Sequence, residues 1–390
     1  MSDKRPLPLR VINTVMVVGY TAACIYLYYR FMGWESGSVY ESDLPAHISL
    51  AVDDGLIYSL VSFLIIGLNK LDLMELLPMF LGIFACLSVM FTALLIREIT
   101  EDKWNRDLTE LLALLLNIVM PCYIKGFSDG RYIGMHTSSI WHNSTYLLMK
   151  WMGLWTLLIY IKIEKNISEK MTVKSYLYFT LVLTLTTAAK PNFFLAVTPV
   201  MLVFLIMDLV SKKAPVSRLI LFGSSVIPSF AVMLLQNSAL YSVNAGDNKI
   251  VLAPGRAMSI HAGNLPAVIV LSIAFPLMML ALHFSDLFKE KVMLFAWLSA
   301  GVGFLEYFLL SEEGARNMDA NFSWGYAFTI ILIFGISLLV WIKDILAIKE
   351  KKTAVKAYLA VSGVVLLYHT YCGLLFFIRI VRGVSYMMWG

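Results

Sequence analysis

The sequence predicts an all-α, polytopic membrane protein, and three observations lead there. Hydrophobic residues fill 59% of 390 positions and charged residues only 15%, too little charge to cover a soluble domain of this size. The apolar residues fall in blocks of about 18–25, the length that crosses a bilayer's hydrocarbon core. The basic residues sit in short segments between those blocks, which is how orientation is encoded. A single transmembrane domain over 1–390 is expected, and the net charge of +5 gives no sign of a nucleic-acid partner.

The first span is placed at 9–31. It is too long for the apolar region of a signal peptide and lacks a convincing cleavage site, so it is read as uncleaved. Further spans are expected at 73–97, 107–124, 144–162, 173–189, 193–210, 216–236, 265–283, 292–310, 325–343 and 357–378, giving about eleven transmembrane helices. Their interiors read as free of charge. His283 and His369 read as core or interface residues. The cysteines Cys24, Cys86, Cys122 and Cys372 lie in or beside apolar blocks with no CxxC spacing, so neither a disulfide framework nor a thiolate metal site is indicated.

Residues 43–70 are the ambiguous stretch. The uncharged run from Leu56 to Leu68 is short for a crossing. Apolar residues recur every fourth position at Ile48, Val52, Leu56, Leu60 and Leu64, as on one face of a helix lying in the interface. Charge supports that reading. If the N-terminus is cytoplasmic and 43–70 does not cross, the inner loops collect Arg97, Lys103 and Arg106, then Lys162 to Lys174, Lys212 to Arg218, Lys289 and Lys291, and Lys343 to Lys356. A crossing would invert the positive-inside bias.

This topology gathers five polar segments on the outer face. They are 32–47, with Glu35, Glu41, Asp43 and His47; 125–146, with Arg131 and the Trp141-His142-Asn143 cluster; the Lys190-Pro191-Asn192 turn; 237–264, with Asp247, Arg256 and His261; and 311–324, with Glu313, Arg316 and Asn321. In Glu41-Ser42-Asp43 an extended backbone would put both carboxylates on one face, able to approach one acceptor hydroxyl or one divalent cation such as Mg or Mn. A carboxylate at the edge of an apolar cavity can have its pKa raised toward working pH, which suits a general base. The competing reading is of solvated loop acids, with Asp43 capping the next helix. Lys190, Arg256 and Arg316 are candidate phosphate ligands, against snorkelling or ordinary loop charge. Trp141, His142 and Asn143 could meet a sugar by stacking and hydrogen bonding, although Trp141 could equally be an interfacial anchor. Metalloprotease, P-loop, nucleophile-elbow and dinucleotide motifs are absent.

The arrangement resembles the glycosyltransferase C (GT-C) superfamily of membrane glycosyltransferases. The resemblance rests on the acidic loop after a first span, on its continuation into an interfacial helix, and on the blocks DLPAHI, WHNSTY, AAKPNFF and EEGARNMDANFSWG. Similar blocks occur in bacterial, Firmicutes-type multi-pass proteins. The resemblance implies inverting transfer of a sugar from a polyprenyl-phosphate donor to a glycan, lipid or protein acceptor on the extracytoplasmic face of the cell membrane. It makes Asp43, or secondarily Glu41, the base or a metal ligand, with Lys190, Arg256 or Arg316 stabilising the departing lipid phosphate. No large extramembrane domain follows the spans, so acceptor recognition is expected to use the short outer loops. Two other classes compete: a polysaccharide polymerase or ligase, and a transporter or flippase for a lipid or solute. The glycosyltransferase reading requires Asp43 and Lys190 to face one site, within about 15 Å of each other.

Overall fold

The computed structural model describes residues 7–33, 40–127, 136–242, 249–316 and 319–385. In chain order the elements are α1 (Leu7–Met32), α2 (Leu44–Val52), α3 (Leu60–Lys70), α4 (Leu77–Ile99), α5 (Arg106–Leu116), α6 (Ser144–Asn166), α7 (Val173–Ala189), α8 (Asn192–Val210), α9 (Val216–Ser224), α10 (Ile227–Ser242), β1 (Lys249–Leu252), α11 (Arg256–His261), α12 (Leu265–Ser272), α13 (Ala274–Leu282), α14 (Lys291–Leu309), β2 (Leu310–Glu313), α15 (Ser323–Leu346) and α16 (Thr353–Val381). The chain is an all-α polytopic membrane protein, as its composition predicts. Among the described residues, eight helical segments are long and apolar enough to cross a bilayer, with α9 and α10 counted as one; the bent α12–α13 pair makes nine.

Two of the expected eleven spans are irregular, and a third, α7 over 173–189, is at 17 residues too short to be among the eight. Over 107–124, α5 stops at Leu116 and the chain continues without a helix to Ile124. The predicted 265–283 span is broken, with α12 and α13 meeting at 70°. The two irregularities answer each other. Buried backbone groups must find partners, and in an apolar medium water cannot supply them. Cys122 N–H donates to Leu271 C=O at 2.9 Å, and Met120 N–H donates to His369 C=O at 3.2 Å. The His369 ring closes the arrangement: Nδ1 donates to Met120 C=O at 2.7 Å and Nε2 accepts from Phe275 N–H at 3.4 Å. A carbonyl can only accept and an amide N–H only donate, so these partners fix the Nδ1–H tautomer. Gly373 of α16 makes the approach possible, since a Cβ there would collide with the Ile118 carbonyl. Hydropathy sees only that these segments are apolar, and so reads them as straight spans.

The segment 43–70 is two helices of nine and eleven residues, each shorter than a bilayer crossing needs, not the one interfacial helix expected. The four-residue apolar beat runs through a break: Asp53-Asp54-Gly55 ends α2, with Gly55 at φ +63°, a left-handed conformation that glycine adopts without strain. Ser59 then caps α3, its side chain accepting from Ser62 N–H at 3.2 Å. α7 keeps its predicted bounds at 17 residues, about 26 Å of helix.

α6 and α15 are the most enclosed of the spanning helices, while α1 and the α9–α10 segment are the least. α6 packs against α4 and α7, and α14 lies along α15 with α8 beside both. Gly303 permits that closeness, because a Cβ there would stand 2.8 Å from the Tyr326 backbone nitrogen. The loops separate into two ends. At one end Lys165 pairs with Glu98, and Lys213 and Lys291 pair with Glu164 and Asp208. At the other, residues 41–47, 136–146, 190–192, 310–316 and 319–321 meet, and β1 pairs antiparallel with β2, Lys249 opposite Glu313. The small ribbon joins the fourth and fifth predicted outer segments, which is the grouping the span count requires. This is called the outer end below.

Candidate functional site

The site is organised by the start of α6. Asn143 is its N-cap, the side-chain oxygen accepting from Tyr146 N–H at 2.9 Å and from the Thr145 hydroxyl at 2.8 Å. A capping side chain satisfies a helix-terminal N–H that has no partner within the helix. With its oxygen so engaged, the amide nitrogen points away from the helix and donates to Asp43 Oδ2 at 2.7 Å. Asp43 stands at the N-cap position of α2, yet its carboxylate makes no capping bond. Its backbone is tied instead to His142, Asp43 N–H donating to the His142 carbonyl at 3.2 Å. Ser42 Oγ donates to the same carbonyl at 2.9 Å and accepts from Leu44 N–H at 3.1 Å. The Asp43 side chain is left about one-third exposed, with His142 Nε2 4.0 Å from Oδ2.

Lys190 reaches the same place from α7. Pro191 has no N–H to continue a helix and restricts the residue before it to extended backbone, so α7 ends at Ala189 and α8 begins at Asn192. Lys190 takes extended dihedrals between them. Its ammonium donates to the Thr145 hydroxyl at 2.9 Å and sits 4.7 Å from the centre of the Trp324 ring, a cation–π contact. Three hydrogen bonds therefore link Asp43 to Lys190, through Asn143 and Thr145. His47 Nδ1 bonds Ser144 Oγ at 2.7 Å on the other side of Asp43.

Burial sets the charges of this group. It pushes the His142 pKa down to about 4, against the opposing pull of Asp43 and with some help from Lys190. His47 moves the same way for the same main reason. Burial also lowers Lys190 to about 8, while Asp43, Asp319 and Glu312 pull it upward and Arg316 pushes it down. At neutral pH the imidazoles are uncharged and Lys190 is mostly protonated.

Next to it lies a second group. Arg316 Nε is 3.1 Å from Asp319 Oδ2 and 3.7 Å from Glu312 Oε1, and the Asn321 amide donates to Glu312 at 2.7 Å. Asn192, at the start of α8, donates to the Asn321 carbonyl at 2.7 Å, tying this group to the Lys190 turn.

Other predicted residues stand elsewhere. Glu41 and Asp43 do not share a face: the Glu41 carboxylate accepts from the Ser385 hydroxyl, while that of Asp43 turns to Asn143. Asp43 itself takes helical dihedrals at the N-cap of α2, so the extended backbone that would align the two side chains does not run through it. Among the described residues no group of three or more His, Cys, Asp and Glu is placed to hold a metal ion. Divalent cations of the magnesium type want several oxygen ligands, so the pair of carboxylates does not fit a shared ion. Arg256 and Glu313 pair with each other at 3.3 Å on the ribbon, with Lys249 also on Glu313 at 3.1 Å. Trp141 is buried, its Nε1 donating to the Tyr20 hydroxyl at 3.0 Å and its ring packed on Phe377. Neither sugar stacking nor an interfacial anchor describes that position. Arg131, Glu35 and Asp247 lie outside the described residues.

Sequence reasoning missed Thr145, Ser144 and Trp324, which hold Lys190 and His47. It also passed over Lys150 and Glu306, which contradict the reading of charge-free spans. Lys150 is buried in α6 and donates to the Ser138 carbonyl at 2.8 Å. Glu306, near the end of α14, has Oε2 buried and without a hydrogen-bond partner among the described residues. It faces Gly325, where a Cβ would stand 3.3 Å from it. The available signal was a single ionisable residue in an otherwise apolar block, which is a functional pointer in membranes.

No family model matches the chain, and no curated protein matches it. Among solved structures, it is similar to the archaeal oligosaccharyltransferase AglB from Archaeoglobus fulgidus, solved in complex with an inhibitory peptide and a dolichol-phosphate. The TM-score is 0.52 at 13% identity, and the match covers 97% of this chain and 56% of that one. The chain thus spans little more than half the length of this neighbour. The likeness is one of fold alone.

Proposed function

We propose that this protein is a membrane glycosyltransferase that moves a sugar from a polyprenyl-phosphate-linked donor to an acceptor hydroxyl, with the Asp43–Lys190 group as its active site on the extracytoplasmic face. The observation that carries the proposal is the joining of a partly exposed carboxylate and a buried ammonium through neutral side chains, within a fold shared with an oligosaccharyltransferase. That neighbour was solved with a dolichol-phosphate and an inhibitory peptide. For this chain the proposed partners are a lipid-phosphate sugar and a glycan, lipid or protein acceptor.

In the reaction, Asp43 takes the proton of the acceptor hydroxyl as its oxygen attacks the anomeric carbon. Asn143 holds the carboxylate in place by one oxygen, leaving the other for that proton. The bond from the anomeric carbon to the phosphate oxygen breaks, and the lipid phosphate departs with the electron pair. Lys190 faces the charge that develops, with Arg316 behind it, and partial desolvation strengthens the interaction. His142 and His47, uncharged, donate or accept hydrogen bonds without competing for the phosphate. No step is routed through a metal, because Glu41 and Asp43 have separate partners.

The test is direct. Purified full-length protein in liposomes, given a polyprenyl-phosphate sugar and candidate acceptors, is expected to release polyprenyl phosphate, and Asp43→Asn is expected to abolish release. Full activity of Asp43→Asn would overturn the assignment of the base. Transport of the lipid or solute without sugar transfer would overturn the reaction class.

A further inference from the structure

The opposite end of the bundle holds a feature that the proposed chemistry does not use. A cleft of about 140 Å³ opens between α4, α6, α14 and α15, walled by Ile96, Leu154, Leu157, Phe295 and Ile331 and floored by Gly335. Its mouth carries three charged side chains, Glu164, Lys165 and Lys291. A pocket walled by apolar groups and edged by charge at one end has the form of a site for an amphiphile, chain inward and headgroup at the rim.

The ion pairs at the rim decide the sign of that headgroup. Three carboxylates, Glu98, Glu164 and Asp208, face four lysines. Glu164 is bonded by both Lys213 and Lys291, and Asp208 lies 3.7 Å from Lys213 and 3.4 Å from Lys291. Glu98 is 2.8 Å from Lys165 and 3.9 Å from Lys162. If Lys165 and Lys291 turn away, Lys162 stays beside Glu98 and Lys213 is shared by Glu164 and Asp208, and over the four lysines and three acids a single anionic headgroup balances the charge. Lys165 and Lys291 are the lysines at the mouth, and their side chains are 42% and 53% exposed, on stems flexible enough to reorient. One positive charge is in surplus, and it sits where a headgroup would lie.

We propose that this cleft binds a membrane phospholipid with an anionic headgroup, one acyl chain between α6 and α15 and the phosphate against Lys165 and Lys291. The site is remote from Asp43 and Lys190, at the far end of α6, so it stands apart from the proposed transfer reaction. Anionic lipid at a basic rim gains Coulomb energy that a zwitterionic lipid largely lacks.

Native mass spectrometry of the full-length protein, with phosphatidylglycerol, phosphatidylcholine or diacylglycerol added in turn, tests this. One phosphatidylglycerol per chain is expected to be retained, about tenfold more strongly than phosphatidylcholine or diacylglycerol. Gly335→Leu fills the floor of the cleft and is expected to remove that preference. Gly335→Ala is expected to keep it, because the added Cβ meets only Leu116 Cδ1 at 3.7 Å. Equal retention by wild type and Gly335→Leu, or equal retention of the three lipids, would overturn the proposal. Phosphatidylglycerol with a photoreactive group near one chain end gives a second readout on the wild-type protein. Labelling within 154–157 or 331–336 is expected. Labelling confined to the exposed face of α16, at Val364 or Leu367, would overturn it.

Discussion

Two groups at opposite ends of the bundle, one around Asp344 and one around Asp43 and Lys190, treat charge in opposite ways. At the inner end, acids meet bases directly. Lys351 donates to Asp344 at 2.6 Å while His283 Nε2 lies 2.7 Å from the other Asp344 oxygen, and Glu164 and Asp208 share Lys213 and Lys291. At the outer end, among the described residues, the two central charges touch neutral partners. Asp43 has an amide and Lys190 has a hydroxyl and an indole face, and neither bonds the other. Direct pairs stabilise a fold by satisfying each charge internally. Charges positioned by neutral groups are held in place while their electrostatic capacity is kept for a ligand. The group around Asp344 thus reads as structural support and the Asp43–Lys190 group as a site.

That contrast can be broken by substitution, and the largest effect is expected at Asp43. Asp43→Asn should lower turnover by about 10³-fold with little change in melting temperature, as measured by polyprenyl phosphate release and thermal unfolding side by side. A large loss of stability instead would move Asp43 into the structural class. Lys190→Met should lower kcat/KM for the lipid donor by about fifty-fold, a charge-assisted contact of roughly 2–3 kcal/mol. In the wild type the same parameter should fall as pH rises through about 8, where Lys190 loses its proton. The variant should show no such limb.

Asp344→Ala is the converse test. It should cost about 2 kcal/mol of stability, a partly solvated version of breaking a buried pair, while turnover per folded molecule stays unchanged. Asn143→Ala should do some of both: about 1 kcal/mol from the lost cap, and a roughly tenfold drop in turnover as the carboxylate loses its hold. The smallest effect is on acid stability. The folded pKa of His142 lies near 4, below its ordinary 6.5, so the neutral ring's contribution is complete above pH 6.5. It is lost as pH falls toward 4, because the unfolded chain binds the proton more readily. His142→Gln should flatten the decline in melting temperature over that window.

Much of this was legible from residue types and their order. Apolar block length gave the membrane class. The basic loops gave the two-ended grouping of segments, and the Pro191 turn located Lys190 beside the acidic loop. What failed were statements about continuity and direction. The 107–124 and 265–283 blocks are apolar throughout, so hydropathy could not tell a straight span from two broken segments sharing His369. The Glu41–Asp43 spacing suggested one face, but Asp43 already takes helical dihedrals as the N-cap of α2, and the carboxylates meet Ser385 and Asn143 respectively. Trp141 read as a sugar-stacking residue or an interfacial anchor; only packing reveals that its indole points into the core. Lys150 and Glu306 were visible as lone ionisable residues but were lost in the average character of their spans.

The central claim is that Asp43 and Lys190 are held for a ligand and the Asp344–Lys351 pair is not. The most direct measurement is the thermal stabilisation of purified protein by polyprenyl phosphate, compared among the wild type, Lys190→Met and Lys351→Met. Saturating ligand at a hundred times its Kd should stabilise by about 2.7 kcal/mol. Stabilisation in the wild type and Lys351→Met, but not in Lys190→Met, is the predicted result. Equal stabilisation of all three proteins would contradict the account.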